Sequence, residues 1–127
     1  MGLAFFKRIF DGENPLMVWG SGKQTRSFLY VTDFARGLLE VCEKYPNADA
    51  LNLGSSEEIS IGNLAKLLVE LTGAKAKIVF DTSKPDGQPR RTCDTQKAER
   101  LIGYKAEVPL RDGLQKTIEW YKSKRKA

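Results

Sequence analysis

The sequence predicts a small α/β fold (α+β-like), with short strands alternating with helices in one layered domain. Three features carry this prediction. Brief β-rich apolar runs, such as Leu16–Trp19 and residues 77–81, alternate with longer segments whose apolar residues recur at helical spacing. Glycine or proline punctuates the ends of those segments. The length, 127 residues, suits one domain large enough to bury a core without cross-links.

Residues 4–10 read as an amphipathic helix, with Phe5, Phe6, Ile9 and Phe10 apolar and Lys7 and Arg8 polar. Asp11-Gly12 ends it, and Asn14-Pro15 signals a turn. Leu16–Trp19 is a strand running into Gly20-Ser21-Gly22. Residues 26–31 form the next strand, with apolar content on both faces. Thr32 or Asp33 is expected to cap a helix that runs to about residue 45. In it Phe34, Ala35, Leu38, Leu39, Cys42 and Tyr45 fall at helical spacing, with Arg36, Glu40, Glu43 and Lys44 opposite. Residues 50–54 read as a short strand and 55–58 as a loop.

Ser60 is placed to cap the following helix, with Ile59 and Leu64 spaced for a hydrophobic staple. Ile61, Leu64, Leu67, Leu68 and Leu71 form its buried stripe, and Gly73 is the expected left-handed stop. After the strand at 77–81, residues 82–91 form a polar loop containing Pro85, Gly87 and Pro89. Asp94 can cap a short helix that Gly103 stops. Pro109 precedes a last helix in which Leu110, Leu114, Ile118 and Tyr121 share a face. There is no internal repeat, low-complexity segment or second domain in this pattern.

Hydrophobic residues at 41% and charged residues at 29% belong to a folded globular chain rather than a disordered one. No apolar run approaches the roughly 18 residues of a membrane span. The opening residues lack the basic-then-apolar order of a secretory signal, so the expectation is a cytoplasmic protein with no membrane partner. Cys42 and Cys93 are expected to be reduced, structural thiols. The absence of histidine removes Ser-His and Cys-His nucleophile pairs and the usual zinc ligands, and no metal site is expected. The net charge of +5 suits an anionic partner. Part of it lies in the tail at 122–126, where cations complement a helix dipole without any ligand.

Gly20-x-Gly22 is not a dinucleotide fingerprint. Position 25 is Thr where that pattern needs Gly, and a strand-like run follows instead of a helix. Arg26 is more informative. It heads an apolar strand, where a guanidinium needs a partner. Asp33, Asp86 or a bound phosphate can each supply one. The loop 81–91 is long and polar for a domain of this size. In it Lys84 and the pair Arg90/Arg91 can meet a diphosphate, and Asp86 can accept from sugar hydroxyls or a base edge; a solvated surface loop is the plainer alternative. Trp19 can stack on a base or belong to the core.

Residues 18–33, Val-Trp-Gly-Ser-Gly-Lys-Gln-Thr-Arg-Ser-Phe-Leu-Tyr-Val-Thr-Asp, closely resemble the G-x-G-x-x-x-R-x-F-x-x-V-x-D segment of nucleotide-sugar epimerases and dehydratases. These are the extended short-chain dehydrogenase/reductases. Leu51-Asn52-Leu53-Gly54 is similar to the family's N-x-G strand end, and Glu58-Ile59-Ser60-Ile61 to the entry of its next helix. Lys84-Pro85-Asp86-Gly87-Gln88-Pro89-Arg90 resembles most the GDP-L-fucose synthase branch. Residues 94–103 and 113–121 resemble its closing helices, so the likeness covers essentially the whole chain. Ser27 and Tyr30 depart from that branch, which often carries Glu and His there.

The resemblance implies the C-terminal, nucleotide-sugar-binding domain of an NAD(P)-dependent enzyme, over residues 1–127, as a fragment without a complete Rossmann domain. It implies substrate contacts from Trp19 near the nucleotide, Arg26 on its phosphates, and Lys84 and Asp86 in a closing loop. The family's Tyr-x-x-x-Lys pair has no counterpart, because Tyr30, Tyr45, Tyr104 and Tyr121 are followed four residues on by Phe34, Asp49, Val108 and Arg125. By the resemblance, NAD or NADP would be held by the N-terminal Rossmann domain of the parent chain, with no cofactor in this portion. That domain would carry out transient oxidation at sugar C4, and the chain alone would be inactive. The rival reading from charge alone is a non-enzymatic basic module that binds nucleic acid or a protein partner.

Overall fold

Parallel pairing of distant strands organises the chain. A computed structural model describes residues 2–125; Met1, Lys126 and Ala127 lie outside the described residues, so the last lysine of the basic tail does too. The elements are α1 (Gly2–Phe10), β1 (Leu16–Trp19), β2 (Thr25–Ser27), α2 (Val31–Lys44), β3 (Glu58–Ser60), α3 (Ile61–Thr72), β4 (Ile78–Asp81), β5 (Arg90–Arg91), α4 (Gln96–Ile102) and α5 (Leu110–Arg125). β1 lies parallel to β4, with Leu16 opposite Ile78 and Trp19 opposite Asp81. A second sheet has the order β3-β2-β5, antiparallel on one side of β2 and parallel on the other.

The main core joins α1, β1, α3 and α5. Leu16, Leu64, Leu68 and Ile118 are sealed from solvent, with Phe5, Phe6 and Ile9 packed on them. The predicted faces of α1, α3 and α5 account for this cluster. The predicted Ser60 cap forms, its Oγ accepting from the Asn63 N–H at 3.2 Å. At α4 the N-cap is Thr95, without a side-chain cap bond, and Asp94 lies one residue earlier, its Oδ1 accepting from the Gln96 N–H at 2.8 Å. A smaller cluster gathers Ala98, Ile102 and Tyr104 with Val41, Leu51 and Leu53.

The structure departs from the expectations at definite places. The strand predicted over 26–31 is only Thr25–Ser27, and α2 already begins at Val31. Tyr30 occupies the N-cap without a side-chain cap bond. Asp33 is instead buried in the first turn, and its Oδ2 accepts the backbone N–H groups of Glu107 and Val108, each at 2.9 Å. That carboxylate caps a distant loop rather than its own helix. Residues 50–54, predicted as a strand, have no ladder partner among the described residues. Glu58–Ser60, read as the end of a loop and a helix entry, and Arg90–Arg91, read as loop, pair on the two sides of β2, and Glu58 bonds Thr25 and Arg90 across them.

The apolar stripe of α2 is not buried. Val31, Phe34, Leu38 and Leu39 are all exposed, and so is Cys42. α2 packs instead through Asp33 and Gly37, where a Cβ would come within 2.7 Å of the Tyr104 ring. Among the described residues no helix is long and apolar enough to cross a membrane.

Candidate functional site

The site is built from the β1–β2 connection and the β4–β5 loop. β1 carries Trp19 to the end of the parallel pair, where the chain turns through Gly20 and Gly22 with φ of 80° and 72°. Those backbone angles favour glycine. Space demands it too: a Cβ on Gly20 would collide with the Asp86 carboxylate, and one on Gly22 with the Phe80 ring. Asp86 closes over the turn by accepting from the backbone N–H and the hydroxyl of Ser21, the latter at 3.0 Å. Residues 65 positions apart are thereby clasped together.

Arg26 stands in the middle strand of its sheet, half-buried. Its Nη1 donates to the backbone carbonyls of Thr25 at 2.6 Å and Gln88 at 2.9 Å. Among the described residues it has no carboxylate partner, so neither Asp33 nor Asp86 takes the role open to it in the sequence. The two carbonyls aim the guanidinium without neutralising it.

A cavity of about 690 Å³ opens beside these groups, lined by Phe5, Val18, Trp19, Gln24, Arg26 and Asp86 among others. Its size lies in the ordinary range for small-molecule sites, and it joins an apolar wall to a few polar groups, as such sites do. Trp19 is 64% exposed, which excludes the core role open to it in the sequence. The Lys84 ammonium lies 5.9 Å from the centre of the Trp19 ring. Trp19, Arg26 and Asp86 thus share one cavity, and Lys84 stands over its aromatic edge. Asp86 is partly committed, because its oxygens already hold Ser21.

Arg90 and Arg91 do not act as the pair the loop suggested. Arg90 Nε and Nη2 each donate to the Glu58 carboxylate at 2.9 Å. These bonds, with one from Thr25, hold Glu58 below the usual carboxylate range. Gln24 was not anticipated. It is 5% exposed and lines the cavity, its Nε2 donating to the Trp19 carbonyl at 3.4 Å. Its Oε1 is buried with no partner among the described residues. Only its place between Gly22 and Arg26 hinted at this.

The glycine turn is unsuited to a dinucleotide pyrophosphate. It opens a strand rather than a helix, and an aspartate carboxylate sits against it, where an anion would be repelled. No group of acidic, cysteine or histidine side chains among the described residues has metal-site geometry.

Comparison with known proteins places these features in a family. Residues 3–54 match the NAD dependent epimerase/dehydratase family. The chain is 41% identical over 106 residues to the probable GDP-L-fucose synthase 1 of Oryza sativa subsp. japonica, covering 84% of this chain and 32% of that protein. The GDP-L-fucose synthetase of Naegleria fowleri bound to NADP superposes with a TM-score of 0.86 at 31% identity, over 99% of this chain and 40% of that one. The UDP-glucose 4-epimerase of Thermotoga maritima, solved with UDP-glucose, gives 0.87 at 28% identity, over 98% and 40%. The chain spans about a third of the length of the relatives it matches. By sequence and by fold, it belongs to the NAD dependent epimerase/dehydratase family.

Proposed function

We propose that this chain is the nucleotide-sugar-binding portion of an NAD(P)-dependent epimerase, dehydratase or reductase of the GDP-L-fucose synthase type. The observation that carries this reading is the Arg26 guanidinium, aimed by two backbone carbonyls at a cavity and without a carboxylate partner among the described residues. Such a group makes paired, charge-assisted hydrogen bonds to phosphate. Trp19 supplies an aromatic face for the nucleotide, Lys84 a second charge, and the Asp86–Ser21 clasp holds the loop that carries both Lys84 and Asp86.

In this reading the chain contributes binding energy far from the reacting carbon and so orients the sugar. Hydride chemistry is assigned to a cofactor-binding Rossmann domain of the same parent chain, which would also cover the apolar face of α2. The chain by itself is expected to show no turnover.

Titration with GDP-, UDP- and dTDP-sugars, followed by amide chemical shifts, tests the proposal. Shifts are expected to cluster around residues 19–26 and 84–88 and to vanish in Arg26→Ala. Salt-sensitive oligonucleotide binding that ignores Arg26→Ala would favour the basic-module alternative instead.

A further inference from the structure

We propose that Gln24 reads the ribose of the bound nucleotide, its side-chain oxygen accepting a hydrogen bond from a ribose hydroxyl; this rests on the nucleotide-sugar reading above. Gln24 Oε1 is the one buried side-chain nitrogen or oxygen without a hydrogen-bond partner among the described residues. Leaving a buried acceptor unpaired is destabilising, and folded chains rarely do so without a functional reason.

The orientation of the amide follows from its chemistry. One end faces the Trp19 carbonyl, an acceptor, so the NH2 group stands there and the oxygen is the end without a partner. The backbone of Gln24 is anchored independently. Its carbonyl accepts from the Ile61 N–H at 2.9 Å, and the Gly22 carbonyl accepts from the Gly62 N–H at 2.8 Å. The side chain is held far less firmly, because the bond to Trp19 is 3.4 Å long and the last torsion of a glutamine is soft. A small rotation of the amide turns Oε1 from the wall toward the cavity that Gln24 lines.

The other charged side chains of the cavity wall leave this role open. Arg26 can only donate. Arg8 also only donates, and it is engaged by Glu13 and the Met17 carbonyl. Asp86 accepts, but both of its oxygens hold Ser21. An ionised diphosphate carries acceptors alone and belongs with the arginine. Ribose carries hydroxyl donors, and in a nucleotide it lies between base and phosphate. Gln24 has the matching intermediate place. Its amide bonds the backbone of Trp19, whose ring is offered to the base, and it precedes Arg26, offered to the phosphates, by two residues.

Calorimetric titration of the chain compares UDP and GDP with their dideoxyribose counterparts, which lack both ribose hydroxyls. Inorganic pyrophosphate probes the phosphate grip alone. The wild type is expected to bind the ribonucleotides about tenfold more tightly, as for one hydrogen bond to an otherwise unpaired group. In Gln24→Met, similar in length but without a polar end, that preference is expected to fall to about twofold or less, with pyrophosphate affinity unchanged. Circular dichroism checks that the variant is folded. The side-chain amide signals of Gln24 in the wild type are expected to shift with UDP and to stay in place with its dideoxy counterpart, a readout that needs no variant. Equal wild-type affinity for the two sugars, or a preference that survives in folded Gln24→Met, overturns this inference and leaves the nucleotide-sugar reading standing. A matching loss of pyrophosphate affinity in Gln24→Met also overturns it, by placing the effect on the phosphate grip. Failure of the wild-type chain to bind any nucleoside diphosphate overturns both.

Discussion

In α3, Leu64 and Leu68 are 1% and 0% exposed, whereas in α2 Leu38 and Leu39 are 48% and 67% exposed. Both helices carry apolar residues at helical spacing, and hydrophobic patterning alone predicts burial for both stripes. What separates them is the neighbour. α1, β1 and α5 close over α3. α2 meets Tyr104 and the 107–108 backbone through its polar and small side, at Asp33 and Gly37. An apolar stripe therefore marks a surface made to be covered, and the covering group need not lie within the same stretch of chain.

The comparison can be broken most directly by truncating one leucine in each helix. Leu68→Ala is expected to cost about 3 kcal/mol, as for other fully buried leucines. Leu39→Ala is expected to stay within about 0.5 kcal/mol. Urea unfolding curves measure both; equal losses would mean that the α2 stripe is covered in solution.

A smaller effect tests the side α2 does bury. Asp33→Ala leaves the Glu107 and Val108 N–H groups and the Arg36 guanidinium short of a partner, at an expected cost of about 2 kcal/mol. Burial pushes the Asp33 carboxyl upward, but hydrogen bonds from Val108, Arg36 and Glu107 outweigh it and hold the group below its ordinary value of 3.8. Its stabilising contribution is therefore complete above the unfolded-state value and is lost as pH falls through the lowered one. Stability measured between pH 7 and pH 2 should fall less steeply at the acid end in Asp33→Ala than in the wild type.

The smallest effect on stability sharpens the contrast in another way. The double substitution Leu38→Lys with Leu39→Lys is expected to shift unfolding by no more than about 0.5 kcal/mol per site. It should nevertheless reduce binding of a hydrophobic dye and any concentration-dependent association seen by light scattering. Unchanged dye binding would place the sticky surface elsewhere.

Much of this architecture was legible in the residues. Local chemistry is strong where a cap, a stop or a stripe decides the outcome, as at Ser60, Gly73 and Leu68. It fails where the outcome depends on a remote partner. Residues 50–54 have a strand's composition but no ladder partner among the described residues, and Arg90–Arg91 looks like loop until β2 pairs with it. The site divides along the same line. That Trp19 and Arg26 meet Asp86 at one cavity joins the two stretches, 18–33 and 84–90, on which the resemblance rested. The pairing of Arg90 with Glu58 follows from the strand register, which a sequence shows only once the strand is known. Gln24 becomes visible only through its unpaired oxygen.

The clasp between Ser21 and Asp86 has a consequence for assembly of the molecule. No short peptide excised around the glycine turn contains the cavity, because its opposite wall arrives only after α2, α3 and β4 have been laid down and β5 has threaded alongside β2. Such long loops close late and slowly. If the cavity holds an anion as proposed, its occupancy would be a gauge of completed topology: a chain that captured it would have finished folding, and the ligand would pull the population toward that state by mass action.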